Sequence, residues 1–154
     1  MNKQEIISFV NHLDTTNSRE QENAWDKLRP LRDHVVPYLL EAYPTTKKWQ
    51  GRVAIVYHSI RYARSSEEAF QLGLIACQDK AMLVRYRACG LLAYSLRFDA
   101  IPHLEALFKH RERKTVEDAV AAIDAIKSQN HHYFVDPNHT GQIFWQVNDG
   151  DSPI

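Results

Sequence analysis

The sequence predicts an all-α chain built from repeated helical pairs, and three observations carry that reading. Apolar residues recur at three- and four-residue intervals through most of the chain, the spacing that gathers side chains on one stripe of a helix. Arg19, Arg52 and Arg85 fall 33 residues apart, and Pro37, Phe70 and Pro102 fall 33 and 32 apart, which is the spacing of stacked helical units. After Asn130 the period changes from helical to alternating, marking a different terminal element.

Taken in order, residues 3–13 predict a short amphipathic helix with Ile6, Phe9, Val10 and Leu13 on one face, followed by the turn cluster Asp14–Ser18. Ser18 with Gln21 forms a capping-box pattern for a helix burying Ala24, Trp25, Leu28 and Leu31, which Pro30 ends or bends. Residues 35–43 then put a proline in an opening turn ahead of leucines. Pro44 to Thr46 break the chain before a long helix from about Lys48 to Arg64, striped by Val53, Val56, Tyr57, Ile60 and Ala63 and weakened early by Gly51. Ser65 or Ser66 caps the next helix, with Glu67 and Glu68 in the first turn where the helix dipole favours them.

Residues 79–108 are the clearest unit. A first helix places Val84, Ala88, Leu91, Leu92, Ser95 and Leu96 on one stripe, and a second places Ile101, Leu104, Leu107 and Phe108. Asp99 and Pro102 suit the opening turn between them. Thr115 caps a last helix carrying Val116, Ala119, Val120, Ala122, Ile123 and Ile126. Beyond it Tyr133 and Val135 alternate with Phe134, and Ile143, Trp145 and Val147 alternate with Phe144 and Gln146, across a Pro137–Gly141 turn. That pattern predicts a β-hairpin whose aromatics close the open end of the core. The alternation leaves open whether Phe144 or Trp145 faces inward.

Asp79, Val84, Arg85 and Ala88, followed by Ala100, Ile101, Pro102, His103 and Leu104, resemble the two-helix unit of HEAT repeats. The resemblance implies a short right-handed α-solenoid of about three and a half pairs. The chain then reads as one domain over 1–154, with a capping helix in 1–16, repeats in 17–130 and the hairpin and tail in 131–154. It also implies that an arginine of the Arg85 type pairs with a carboxylate of the Asp79 type in a neighbouring turn.

Composition narrows function. Nineteen basic and nineteen acidic residues leave no net field for nucleic acid or an anionic membrane, although residues 51–100 carry seven Lys/Arg against four Asp/Glu and residues 101–154 five against eight. Cys77 and Cys89 lie within apolar helical patterns and make no disulfide framework, which favours a reducing, cytoplasmic setting. No apolar run approaches the length of a membrane span. The five glycines are scattered singly, so no phosphate loop forms, and neither CxxC nor HExxH occurs; no catalytic residue, enzyme activity or cofactor is expected. His131, His132, Asp136 and His139 crowd together, but alternate strand residues point apart and no metal is expected there. Arg61, Arg64, Arg85, Arg87 and Arg97, interleaved with Tyr62, Tyr86 and Tyr94, raise a phosphate-binding reading that the balanced charge disfavours.

The remaining reading is a binding surface. If second helices line a concave side, Tyr38, Glu41, Gln71 and His103 point outward when Leu39, Leu72 and Leu104 point in. With Glu67, Glu68, Asp136 and Trp145 they form the expected partner-binding set. Small size and the ending NHHYFVDPNHTGQIFWQVND are similar to small bacterial HEAT-type proteins encoded beside secreted toxins. That resemblance implies an immunity protein that binds a cognate toxin, such as a nuclease, tightly and without turnover. A general HEAT scaffold or adaptor is the alternative, with a HEAT-like nucleic-acid-binding protein behind it.

Overall fold

The computed structural model describes residues 1–142 and 145–147, and among them every regular element is helical. The α-helices are α1 (Lys3–Asn11), α2 (Ser18–Leu28), α3 (Val36–Ala42), α4 (Trp49–Ser59), α5 (Glu67–Ala76), α6 (Met82–Ser95), α7 (Ile101–Glu105) and α8 (Arg113–Lys127). Short 3-10 segments extend or precede several of them, at Arg29–Val35, Tyr43–Thr45, Ile60–Tyr62, Phe98–Ala100, Ala106–Lys109 and His131–Phe134. No helix among the described residues is long and apolar enough to cross a membrane.

Helix α6 is the centre of the packing. It lies against α4, α5 and α8, and its stripe residues Val84, Ala88, Leu91 and Leu92 are fully buried. Gly73 lets α5 approach it closely, since a Cβ there would stand 2.6 Å from Leu91 Cδ2. At the start of the chain α1 packs on α2 and α3, and α3 packs on α5. At the other end α8 covers α6 and α7 and receives the His131–Phe134 turn, whose Phe134 is buried.

The spaced arginines hold this packing together. Arg52 Nη1 donates to the carbonyls of Thr46 and Lys47 at 3.2 and 2.9 Å, while its Nε bonds Asp79 at 2.8 Å. Thirty-three residues on, Arg85 Nη1 donates to the Asp79 carbonyl at 2.9 Å and its Nη2 pairs with Glu112 at 3.2 Å. Both arginines therefore reach back six residues to a backbone carbonyl and forward 27 to a carboxylate. Asp79 also caps Ala81 N and accepts from the Tyr43 hydroxyl, so three polar groups compensate its removal from water. Arg19 is exposed and sits outside this series.

Several local expectations are corrected. Asn17, not Ser18, caps α2, accepting from Arg19 N and Glu20 N, and the Gln21 amide instead donates to the Leu13, Thr15 and Gln50 carbonyls. Asp99 makes no cap; both its oxygens go to Arg97. Thr115 lies buried inside the first turn of α8 and accepts from Arg85 Nε at 3.0 Å, leaving Glu112 at the cap position. The first arm of the expected hairpin is a 3-10 turn, because Asn130 caps it through His132 N and drives Phe134 into the core. In the second arm, Ile143 and Phe144 lie outside the described residues, and 145–147 carry no strand.

Candidate functional site

The expected partner-binding set divides between two parts of the molecule. Tyr38 and Glu41 stand on α3, Glu67, Glu68 and Gln71 on α5, and His103 on α7; all are exposed except Tyr38, which is half-buried against the core. Glu67 is already engaged. It accepts from Gln71 Nε2 at 3.0 Å and pairs at 2.6 Å with Arg97, which Asp99 also grips and which lies 3.5 Å over the Phe70 ring. The Arg97 hydrogen bonds hold the carboxyls of Glu67 and Asp99 below the usual range, so each keeps its charge but spends it internally.

Asp136 is not a surface carboxylate. It is covered by its own turn, accepting from Thr140 N, Thr140 Oγ1 and Gly141 N at 2.9, 2.8 and 2.9 Å, and these bonds lower its pKa. Trp145 is half-buried, edge-on to His131 and Phe134 at 5.6 and 5.8 Å. It packs against the core and borders a groove with Tyr57, Ile60, Arg61 and Arg87, whose lining includes none of the α3, α5 and α7 residues it was grouped with.

That groove belongs to the face formed by α2, α4 and α6. A larger groove of about 510 Å³ runs beside it, lined by Trp25, Asp26, Arg29, Tyr57, His58 and Arg87 among others, and the two meet at Tyr57 and Arg87. Buried Trp25 stacks on His58 with ring centroids 4.0 Å apart and planes 8° from parallel. Neither Trp25 Nε1 nor His58 Nδ1 has a hydrogen-bond partner among the described residues. Burial, reinforced by Arg61 and Arg29, pushes the His58 pKa down to about 3, so the ring is neutral near pH 7.

Helical geometry explains why Arg87 is on this face. Two residues on a helix are separated by roughly 200° of rotation, so with Arg85 turned into the core Arg87 must turn out. Its guanidinium carbon sits 4.8 Å from the Tyr57 centroid and 5.3 Å from that of Tyr86. Among the described residues it has no carboxylate or hydrogen-bond partner beyond these rings. The other four arginines of the phosphate-binding reading do not extend it into a strip. Arg85 is buried, Arg97 is paired with Glu67 and Asp99, and Arg64 donates to the Tyr94 carbonyl at 2.6 Å while covering the Tyr94 ring; Arg61 lines the smaller groove.

The crowded C-terminal histidines are likewise spent locally. His139 stacks on Tyr133 at 3.7 Å and bonds Asp124 at 2.6 Å, whereas His131 lies against His132, Tyr94 and Trp145. No group of three or more His, Cys, Asp or Glu suited to a metal occurs among the described residues.

The aromatic face had one signal in the sequence. The 33-residue offset that aligns the arginines also relates Trp25 to His58, two flat rings that stack on one another. Tyr57 was assigned to the buried stripe, but it is 40% exposed because α4 buries its Ala54, Ile55, Val56 and Ser59 side instead. Neither a scan against family models nor a search of curated proteins gives a match for this chain.

Proposed function

We propose that the chain is a protein-binding module, a short right-handed α-solenoid of HEAT-like pairs that neutralises a cognate bacterial toxin in the cytoplasm by tight, stoichiometric binding. The equal reach of Arg52 and Arg85 to a carbonyl six residues back and a carboxylate 27 ahead supports the repeated-pair architecture. The observation that carries the binding reading is the pair of grooves meeting at Tyr57 and Arg87. Trp, Tyr and Arg are the residues that concentrate binding energy at protein interfaces, the aromatics because they bury area with little loss of rotamer freedom and Arg because its planar fork pairs directionally. Buried thiols at Cys77 and Cys89 suit a reducing compartment.

The docking face is therefore assigned to α2, α4 and α6, in place of the second-helix set around Glu41, Glu67 and Glu68. Coexpression with the product of the adjacent open reading frame tests the function. Rescue of a toxic neighbour, together with a one-to-one complex of the two proteins, is expected. A neighbour that is harmless alone, or a toxic one that is not rescued, contradicts the immunity role.

A further inference from the structure

Resting on the assignment of the docking face to α2, α4 and α6, we infer that Arg87 recognises a carboxylate of the partner. The partner presents an Asp or Glu beside an aromatic or aliphatic side chain of a protein segment. Arg87 is the argument. Its charge is held by the faces of Tyr57 and Tyr86 at 4.8 and 5.3 Å, which position a guanidinium without using its N–H donors as an acid would. Those donors meet no acceptor among the described residues, whereas Arg52, Arg85 and Arg97 each end on a carboxylate.

A half-buried guanidinium already fixed in place loses little entropy when a planar carboxylate docks on it, and such charge-assisted pairs are strong and directional. The grooves on either side of Arg87, walled by Trp25 and His58 on one side and Trp145 on the other, provide room for apolar neighbours of that acid. A nucleic-acid phosphate fits less well. Exposed Glu22 and Asp26 line the same groove and would repel a polyanion, and Arg29 is paired with Asp26 at 3.2 Å.

A random phage-displayed peptide library selected on the immobilised full chain tests this. The expected outcome is enrichment of sequences with Asp or Glu next to Trp, Phe or Leu. Their synthetic peptides should lose about tenfold or more in affinity on Arg87→Gln, the scale of one charge-assisted pair, and recover part of it with Arg87→Lys. Unchanged circular dichroism and urea midpoints of both variants establish that the fold is intact; if Arg87→Gln unfolds, Arg87→Lys and an acid-to-amide change in the peptide give the same comparison. Peptides that lack acids, ignore Arg87→Gln and yet fail on Tyr57→Ala overturn the carboxylate while leaving the docking face standing. Peptides indifferent to both substitutions, or no enrichment, overturn the inference and the face together. Displacement of the peptides by a single-stranded oligonucleotide that itself depends on Arg87 overturns it in favour of phosphate.

Discussion

At the scale of single residues, burial followed most of the apolar stripes, with Tyr57 and Val120 exposed on regular helices and Phe108 exposed where the pitch changes. Leu92 is fully buried between α5 and α6, and Leu92→Ala is expected to cost about 2–5 kcal/mol in urea unfolding through lost transfer energy and a cavity. Phe108, assigned to the same core, is 45% exposed because residues 106–109 tighten into a 3-10 turn and rotate it outward. Gly51 was read as a weak point of its helix, yet a Cβ there would stand 2.9 Å from Asp14 Cα and 3.0 Å from the Leu13 carbonyl. Gly51→Ala should therefore destabilise by about 1–3 kcal/mol despite alanine's better helix propensity, and a stabilised variant would show that the 13–14 corner yields freely. The pH response follows from two histidines. Burial lowers His58 to about 3 and His131 to about 4, so the unfolded chain binds more protons below its ordinary histidine pKa, and stability present above about 6.5 is lost as pH falls toward 4. The lowered carboxyls of Asp14, Asp79, Glu67 and Asp99 give up their share only as pH falls below the ordinary carboxylate range. A urea midpoint that is flat between pH 7 and 4.5 would contradict this, and His58→Gln should flatten part of the slope.

At the scale of elements, the existence and order of the helices were legible because stripes and turn residues act within a few positions. Caps were less so. Asn17 caps α2 one residue before the expected Ser18, since short polar side chains near a helix start compete for the same free amides. The cap position of α8 falls on Glu112, three residues before the expected Thr115 and with no side-chain cap bond, and Asn130 caps a 3-10 turn just ahead of the expected strand. Aromatic alternation over 133–135 resembled a strand, but three residues cannot distinguish that period from a 3-10 turn whose middle member is buried. The join between α4 and α6 rests on Arg52 and Asp79, whose side chains are 9% and 6% exposed. Asp79→Ala leaves a buried guanidinium uncompensated and is expected to cost about 3 kcal/mol, measured as a shift in urea midpoint; replacing both residues by apolar ones should cost less than that single change.

At the scale of the whole molecule, the sequence identified an all-α chain, and the partner set it suggested on α3, α5 and α7 stands against the α2, α4 and α6 face proposed from the structure. Charges on α5 were read as free because Arg97, 30 residues from Glu67, could be brought beside it only by the fold. The face at Tyr57 and Arg87 depends on α4 and α6 lying side by side, a relation that no local pattern states. Interferometry of the proposed toxin partner, identified by the coexpression test, on two variants decides between the faces. Arg87→Glu reverses the charge at the groove, and Glu41→Lys with Glu67→Lys and Glu68→Lys reverses the second-helix set. The account predicts that Arg87→Glu weakens binding by about a hundredfold or more, mainly through faster dissociation, while the triple variant changes affinity by less than about threefold at physiological salt. Full affinity in Arg87→Glu with loss in the triple variant would contradict it.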